Sequence, residues 1–204
     1  FDGTVEIGLD MESVDIALEA LQRAQVESVA ICLLHAYRNS AHEQRIAERV
    51  RERMPGTYVS QSSQVLPQIK EYQRVATTVI NAYVGPLIER YLADLNTRLE
   101  QAGYAGPLLV MLSHGGVAPV EEAIRIAAGT VLSGPAGGVA GARRVAEMSG
   151  IKDLIPLDMG GTSTDISLIV DGAAALASDR QLANETIALK SLDIVTLGAG
   201  GGSI

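Results

Sequence analysis

Between Asp158 and Ile166 the sequence runs DMGGTSTDI, in which two carboxylates seven positions apart enclose two glycines and three hydroxyl side chains. A tight turn needs only one or two residues that tolerate positive φ, and acids facing one another across it repel. Glycine amides can approach a phosphate closely because no Cβ intervenes, and hydroxyls add further donors. The two carboxylates would repel a bare phosphate, but they suit a Mg2+ held through waters and shared with phosphate oxygens. One of them could also orient an attacking water. A Gly-rich hairpin with surface acids is the alternative reading. A second loop of the same kind, GAGGGS from Gly198 to Ser203, follows another apolar run, and two such loops at strand ends favour a shared ligand.

Other residues offer less. His114 in SHGG follows an apolar run and is either a site residue at a crevice edge or the cap of a turn. His35 and His42 read as structural or exposed, and Cys32, set in SVAICLLHA, reads as an inert buried thiol. Glu71, Tyr72, Arg74, Thr77 and Asn81 have helical spacing and make a polar face, solvated or interdomain before catalytic. No Ser/His/Asp triad can be argued, and three dispersed His with one Cys give no zinc pattern.

The elements that must position the motifs follow from periodicity. DMESVDIALEALQRAQ is an amphipathic helix with Asp10 as its N-cap, and VESVAICLL is a buried strand. Ser40 to Glu43 is a capping-box pattern opening a helix that Pro55-Gly56 stops, and TYVSQ is the next strand. A helical pattern from Gln68 to Gln101 is divided at Gly85-Pro86, with Pro86 placed as the first residue of a second helix. PLLVML is a strand and PVEEAIRIAA a short helix. Pro135 opens a helix to about Met148 whose first turns, PAGGVAGA, are nearly all small. Each interior Gly costs roughly 1 kcal/mol against Ala, which close backbone approach to another element or a ligand would offset. DLIPLD, TDISLIV and AAALAS are successive strands, the last two joined by an Asp171-Gly172 hairpin, and SLDIVTL is a further strand.

Composition agrees with an aliphatic α/β core: 204 residues, 47% hydrophobic, with 21 Gly, one Phe and no Trp. A net charge of −8 argues against a nucleic-acid partner, and the basic run RVRER, Arg49 to Arg53, reads as a solvated helix face. Cys32 is the only cysteine, so no intrachain disulfide is possible. No signal peptide or membrane-length apolar run is seen, which implies a cytoplasmic location without a membrane partner. A start at Phe1 and a stop just after GAGGGS read as a segment of a longer protein.

The order of these pieces resembles the core of the actin, heat-shock chaperone and sugar kinase ATPase superfamily. There a small-residue helix connects two lobes, a D-x-G-G hairpin binds phosphate, and a later L-G-G loop touches the terminal phosphate. Within that superfamily the chain resembles the hydantoinase A family of 5-oxoprolinases, N-methylhydantoinases and acetone or acetophenone carboxylase subunits. LLHAYRNSAHEQR, LPQIKEYQRVATTVINAYVGPL, SHGG, LSGPAGGV, DMGGTSTDISLI and TLGAGGGSI carry the resemblance in order.

The resemblance implies a partial ribonuclease H-like, actin-type ATPase fold of the α/β class. Residues 1–133 would be the end of lobe one with a long helical insertion, 134–149 the connecting helix, and 150–204 the start of lobe two. It also implies ATP and Mg2+ as cofactors, with Asp158 and Asp165 as catalytic and metal-holding residues. Gly160, Gly161, Thr162 and Ser163 would form the second phosphate loop, and Gly198, Gly200, Gly201 and Gly202 would face the same phosphate. The implied reaction is ATP-dependent opening of a cyclic amide by carbonyl phosphorylation, with a hydantoinase B-like subunit or domain as partner. Ketone carboxylation, or a chaperone-like ATPase without a metabolic substrate, are the rival readings. The first phosphate loop and the adenine contacts are expected outside these residues. His114 stands where the family pattern has Asn, and Gln64 and Gln73 stand where acids are common.

Overall fold

Helix, strand, helix, strand opens the chain as its periodicity implies. In the computed structural model, which describes residues 2–182 and 185–203, these are α1 (Met11–Arg23), β1 (Ser28–Ile31), α2 (Ala41–Arg53) and β2 (Tyr58–Gln61). The two strands pair in parallel, Ser28 opposite Tyr58 and Ile31 opposite Gln61, and α2 supplies the crossover that parallel pairing needs. Asp10 caps α1 by accepting from the Glu12 and Ser13 amides. The apolar stripe of α1 then packs with Val29, Ile31, Ala47, Val50 and Met54 into one core. Arg49 and Arg53 are more than a solvated face: they reach Asp15 of α1 at 2.8 and 3.0 Å and hold its carboxyl down at about 2.

The capping box at the start of α2 does not form. Ser40 makes no side-chain cap bond, and Glu43 turns inward and is fully buried. Its carboxylate accepts from the Leu33 amide at 2.9 Å, the Ser62 hydroxyl at 2.6 Å and the Ser63 amide at 2.8 Å. Three interior donors outcompete one exposed cap, because a buried carboxylate is tolerated only when its lone pairs are met. The Asn39 side chain takes over at the helix start, accepting from the Ala41 amide. A single turn, α3 (Ser62–Val65), follows β2 directly and is not foreshadowed by the sequence pattern.

Nor is the long helical stretch divided. α4 (Glu71–Gln101) runs 31 residues with Pro86 inside it. A mid-helix Pro loses one backbone bond and costs about 3 kcal/mol, so packing must supply the difference. α4 lies along β1 and β2, and Gly85 sits directly on the Tyr58 ring, where a Cβ would come within 2.2 Å of Cε1. The anticipated polar face is divided: Glu71 and Tyr72 are exposed, as a solvated face requires, whereas Arg74, Thr77 and Asn81 are buried, and Thr78 with them. Asn81 reaches the Tyr58 hydroxyl and Ser60 Oγ, both at 3.0 Å, and the Arg125 carbonyl, and it accepts from the Ala128 amide at 2.9 Å. Thr77 accepts from the Ala188 amide at 3.0 Å.

The remaining elements are β3 (Leu109–Met111), β4 (Val117–Pro119), α5 (Val120–Arg125), a 3-10 turn (Ala127–Thr130), α6 (Ser133–Met148), β5 (Leu157–Met159) and β6 (Thr164–Ser167). After these come β7 (Ile169–Val170), β8 (Ala173–Ala174), β9 (Leu176–Ala177), β10 (Arg180–Leu182), β11 (Glu185–Ile187), β12 (Ser191–Leu192) and β13 (Ile194–Leu197). The expected strands are therefore shorter and more broken than the apolar runs suggest. DLIPLD contributes only its end to β5, and TDISLIV breaks at Leu168 into β6 and β7. Asp171 and Gly172 join β7 to β8 with φ of 50° and 76°, the two positive values of a type I′ turn.

The chain divides into two compact units: Phe1–Ala105 with Ile124–Ala128 and Gln181–Ala188, and Gly106–Ala123 with Gly129–Arg180 and Leu189–Ile204. The second unit holds a three-stranded antiparallel sheet in the order β13-β6-β5 and a core of Ala136, Val139, Ile169, Leu192 and Ile194. No helix among the described residues is long and apolar enough to cross a membrane.

Gly85→Ala should lower the melting temperature although Ala is the better helix former. The new methyl meets a ring pinned by bonds to Ile124 and Asn81, and overpacking costs about 1–3 kcal/mol against a propensity gain of about 1 kcal/mol. Burial raises the Tyr58 hydroxyl from 10.0 to about 12, partly opposed by the Asn81 bond. A folded-state value above the unfolded one stabilises fully below pH 10 and is lost as pH rises toward 12. Alkaline denaturation followed with Tyr58→Phe should lack that part of the pH dependence.

Candidate functional site

The register of β5 on β6 settles where the paired acids go. Asp158 is opposite Asp165, Leu157 opposite Ile166 and Met159 opposite Thr164, so the two carboxylates share one face of the sheet. Residues seven apart in sequence become direct neighbours across two strands. On the other side of β6, Asp165 faces Thr196 of β13, whose hydroxyl donates to Asp165 Oδ1 at 2.5 Å. The same face, with α6 beside it, bounds a cavity of about 240 Å3 lined by Gly138, Val139, Asp158, Asp165, Ser167 and Ile194, among others.

The small residues of α6 are explained in part. A Cβ on Gly138 would stand 3.2 Å from Asp158 Oδ2, so this glycine lets the helix pass close to the carboxylate. Gly134 and Gly141 have nothing within 4 Å of the same position and answer to no such contact.

The hairpin tip and the later glycine loop are strapped together. Gly201 and Gly202 donate their amides to the Gly160 and Gly161 carbonyls at 2.9 and 2.8 Å, and the Thr164 hydroxyl donates to the Ala199 carbonyl at 2.6 Å. A Cβ on Gly200 would come within 2.7 Å of Gly160 O, Gly161 C and Thr162 N, so only glycine permits this approach. The Gly200 amide is itself taken by Ser203 Oγ at 2.9 Å. Gly198 is under no comparable steric demand. Gly200, Gly201 and Gly202 thus have their amides engaged locally. The tip differs: the amides of Gly161, Thr162 and Ser163 and the hydroxyls of Thr162 and Ser163 form no hydrogen bond among the described residues. Only the Gly160 amide is occupied, by the Ser163 carbonyl.

Three free amides in a turn beside an acidic pair make a donor surface next to an acceptor surface. No group of three or more His, Cys, Asp or Glu able to hold a metal occurs among the described residues. Two carboxylates fit Mg2+ in its usual mode, in which one or two carboxylates are joined by waters and phosphate oxygens. His114 lies apart from this. It is exposed at the β3–β4 turn, and its Nδ1 accepts from the Gly116 amide at 3.2 Å, the geometry of a turn cap. No hydrogen bond among the described residues ties it to Asp158 or Asp165. Thr196 enters the site unmarked by the sequence pattern, and Thr164, one of the three hydroxyls of the motif, turns to the later loop. Their roles depend on cross-strand register and loop contact, which spacing along one chain does not carry.

Gly200→Ala should separate the glycine loop from the hairpin. Its three backbone neighbours have no flexible end to move aside, so a loss of about 1–3 kcal/mol is expected, readable by denaturant unfolding. Gly198→Ala is the control and should stay within about 1 kcal/mol.

Known proteins are similar to this chain in sequence and fold. The family described as Hydantoinase/oxoprolinase matches residues 74–204, and its Hydantoinase/oxoprolinase N-terminal region matches residues 1–54. The caprolactamase subunit alpha of Pseudomonas jessenii is 37% identical over 203 residues, covering 100% of this chain and 29% of that protein. The crystal structure of the ATP-dependent caprolactamase from the same organism superposes with a TM-score of 0.87 at 36% identity, over 100% of this chain and 30% of that one. A nucleotide-free structure of acetone carboxylase, described as performing ATP-dependent acetone carboxylation, gives 0.83 at 31% identity over 98% and 28%. The chain therefore spans under a third of the length of these relatives.

Proposed function

Because the chain belongs to the hydantoinase/oxoprolinase family, we propose that it is the phosphate-handling segment of a longer ATP-dependent enzyme that opens a cyclic amide. The observation that carries this reading is the hairpin. Its open amides at Gly161, Thr162 and Ser163 stand beside the Asp158–Asp165 pair, and the Gly198–Gly202 loop braces it from behind.

In the proposed reaction the terminal phosphoryl group of ATP passes to the amide carbonyl oxygen and ADP leaves. Water then adds to the activated carbon, the ring C–N bond breaks with the nitrogen taking up a proton, and a second water hydrolyses the resulting acyl phosphate to carboxylate and free phosphate. A poor electrophile becomes one that water can open. Mg2+, held by Asp158 and Asp165, would neutralise charge on the transferring group. The tip amides and the Thr162 and Ser163 hydroxyls hold the phosphate oxygens, and the glycine loop keeps the tip in shape. His114 borders the substrate side only in so far as its turn lies near that cleft, and its capping bond argues for a structural part.

This reading places the chain in the actin-like ATPase superfamily, with residues 1–133 from the first lobe, 134–149 connecting and 150–204 opening the second. It also assigns a partner subunit of hydantoinase B type and a cytoplasmic setting. The likeness to acetone carboxylase supports a second reading on the same hairpin, in which ATP activates bicarbonate and a ketone.

In the complete protein, Asp158→Asn should cut ATP turnover by about 10²-fold or more with the melting temperature little changed, since metal holding is lost and packing is not. Turnover within about threefold of the parent would remove Asp158 from the site. A screen of lactams, hydantoins and ketones with ATP, reading ADP release and bicarbonate dependence, separates the two reactions.

A further inference from the structure

α4 wears its amphipathicity inside out. The side that packs on β1 and β2 carries the buried Arg74, Thr77, Thr78 and Asn81, whereas Tyr72, Val75, Val79, Tyr83, Leu87 and Tyr91 are exposed, from 42% for Val75 to 84% for Tyr83. Steps of three or four residues line these six up in one stripe, about 28 Å long at 1.5 Å per residue. A contiguous apolar stripe of this length on the outer side of a helix marks a protein contact.

The order of residues along the stripe says what fits it. Counted from Asn81, Val79 and Tyr83 stand two positions away on either side, Val75 and Leu87 six, and Tyr72 and Tyr91 nine and ten. A two-fold contact requires such a mirrored row, because residue i meets residue j and j meets i. A second α4 laid antiparallel would set Val79 on Tyr83, Val75 on Leu87 and Tyr72 on Tyr91. A cover of any other sequence would place no such demand on the row.

The charges at the two ends choose the same arrangement. Lys70 and Glu71 are exposed at the start of α4, and Arg90 and Asp94 near its end. Antiparallel pairing brings Glu71 beside Arg90 and Lys70 beside Asp94 of the second copy, whereas parallel pairing would set like charges together. Arg90 and Asp94 already reach Glu27 and Arg98 at 3.1 and 2.8 Å, but these pairs are more than half exposed and bind their members weakly. The Tyr72 hydroxyl donates to Glu185 at 2.8 Å, which orders the ring before any partner arrives. Three tyrosines, each able to bury about 150–250 Å2, and three aliphatic side chains bring the covered surface toward the ~800 Å2 per partner of a standard interface. We propose that this face of α4 is a homodimer surface, on which two copies of the chain pair antiparallel about a two-fold axis level with Asn81. The surface lies in the first unit and uses none of the residues of the phosphate reading.

Sedimentation and photocrosslinking of the complete protein test it. With p-benzoylphenylalanine in place of Tyr91, irradiation should give a product of doubled mass on a denaturing gel, joined at the peptide that holds Tyr72. Tyr83→Glu, at a position too exposed to disturb the fold, should weaken dimerisation by about a hundredfold or more with the circular dichroism unchanged. Glu71→Arg should also weaken it, and Glu71→Arg with Arg90→Glu should restore it. A monomer at every concentration, a dimer indifferent to Tyr83→Glu, or a swap that restores nothing would overturn the proposal. So would a crosslink to Tyr91 of the second copy, to another polypeptide, or within one chain at single-chain mass, the last marking the stripe as an internal contact of the longer protein.

Discussion

One antiparallel register, β5 on β6, decides the chemistry of the second unit. A slip by one residue would send Asp158 to the opposite face and put Leu157 or Met159 beside Asp165. What opposes the slip is not β5, which is short and exposed along its length. The restraint lies on the other side of β6. Four cross-strand pairs with β13, the Thr196–Asp165 bond and the strap from the glycine loop all index the tip against a fixed neighbour. The acids stay adjacent, against their own repulsion, because the rest of the sheet leaves the hairpin no other seat.

The first unit solves a different problem. Beside its parallel pair, the buried face of α4 meets polar groups with side chains: the Tyr58 and Ser60 hydroxyls of β2 and the backbone at Leu33, Arg125, Ala128 and Ala188. Asn81 serves the ends of several segments at once, and Thr77 serves another. Replacing any of these by an apolar residue of similar size would strand a buried amide or carbonyl, which costs more than the bond itself contributes. These bonds all come from the half of α4 that precedes Pro86.

Features fixed by neighbours in sequence were legible beforehand. The Asp171-Gly172 turn, the Asp10 cap and the helix, strand, helix, strand order at the start all follow from local residue types. Features fixed by distant partners were not. Glu43 has the spacing of a capping residue and is claimed by α3, while Gly85 looks like a breaker and is a seat for Tyr58. In the site, the glycines and acids could be picked out as a group, but not their division of labour. Gly200 is small because a backbone passes it, whereas the tip residues are small or polar where amides stay open. Both demands write the same letter in the sequence, and only contact tells them apart.

The pairing pattern also bears on the order in which the site assembles. Asp158 and Asp165 meet by closing a loop of a few residues, a step whose entropic cost is small and whose timescale for a hairpin is microseconds. The brace behind them needs β13 to return to β6 from some thirty positions on, for example Leu197 to Thr164, a longer closure that completes later. During that interval the tip has its acids in place but no backing. The braced geometry of the tip is therefore the last property of this sheet to appear during folding and, by the same reasoning, the first to be lost when the sheet opens from its β13 edge.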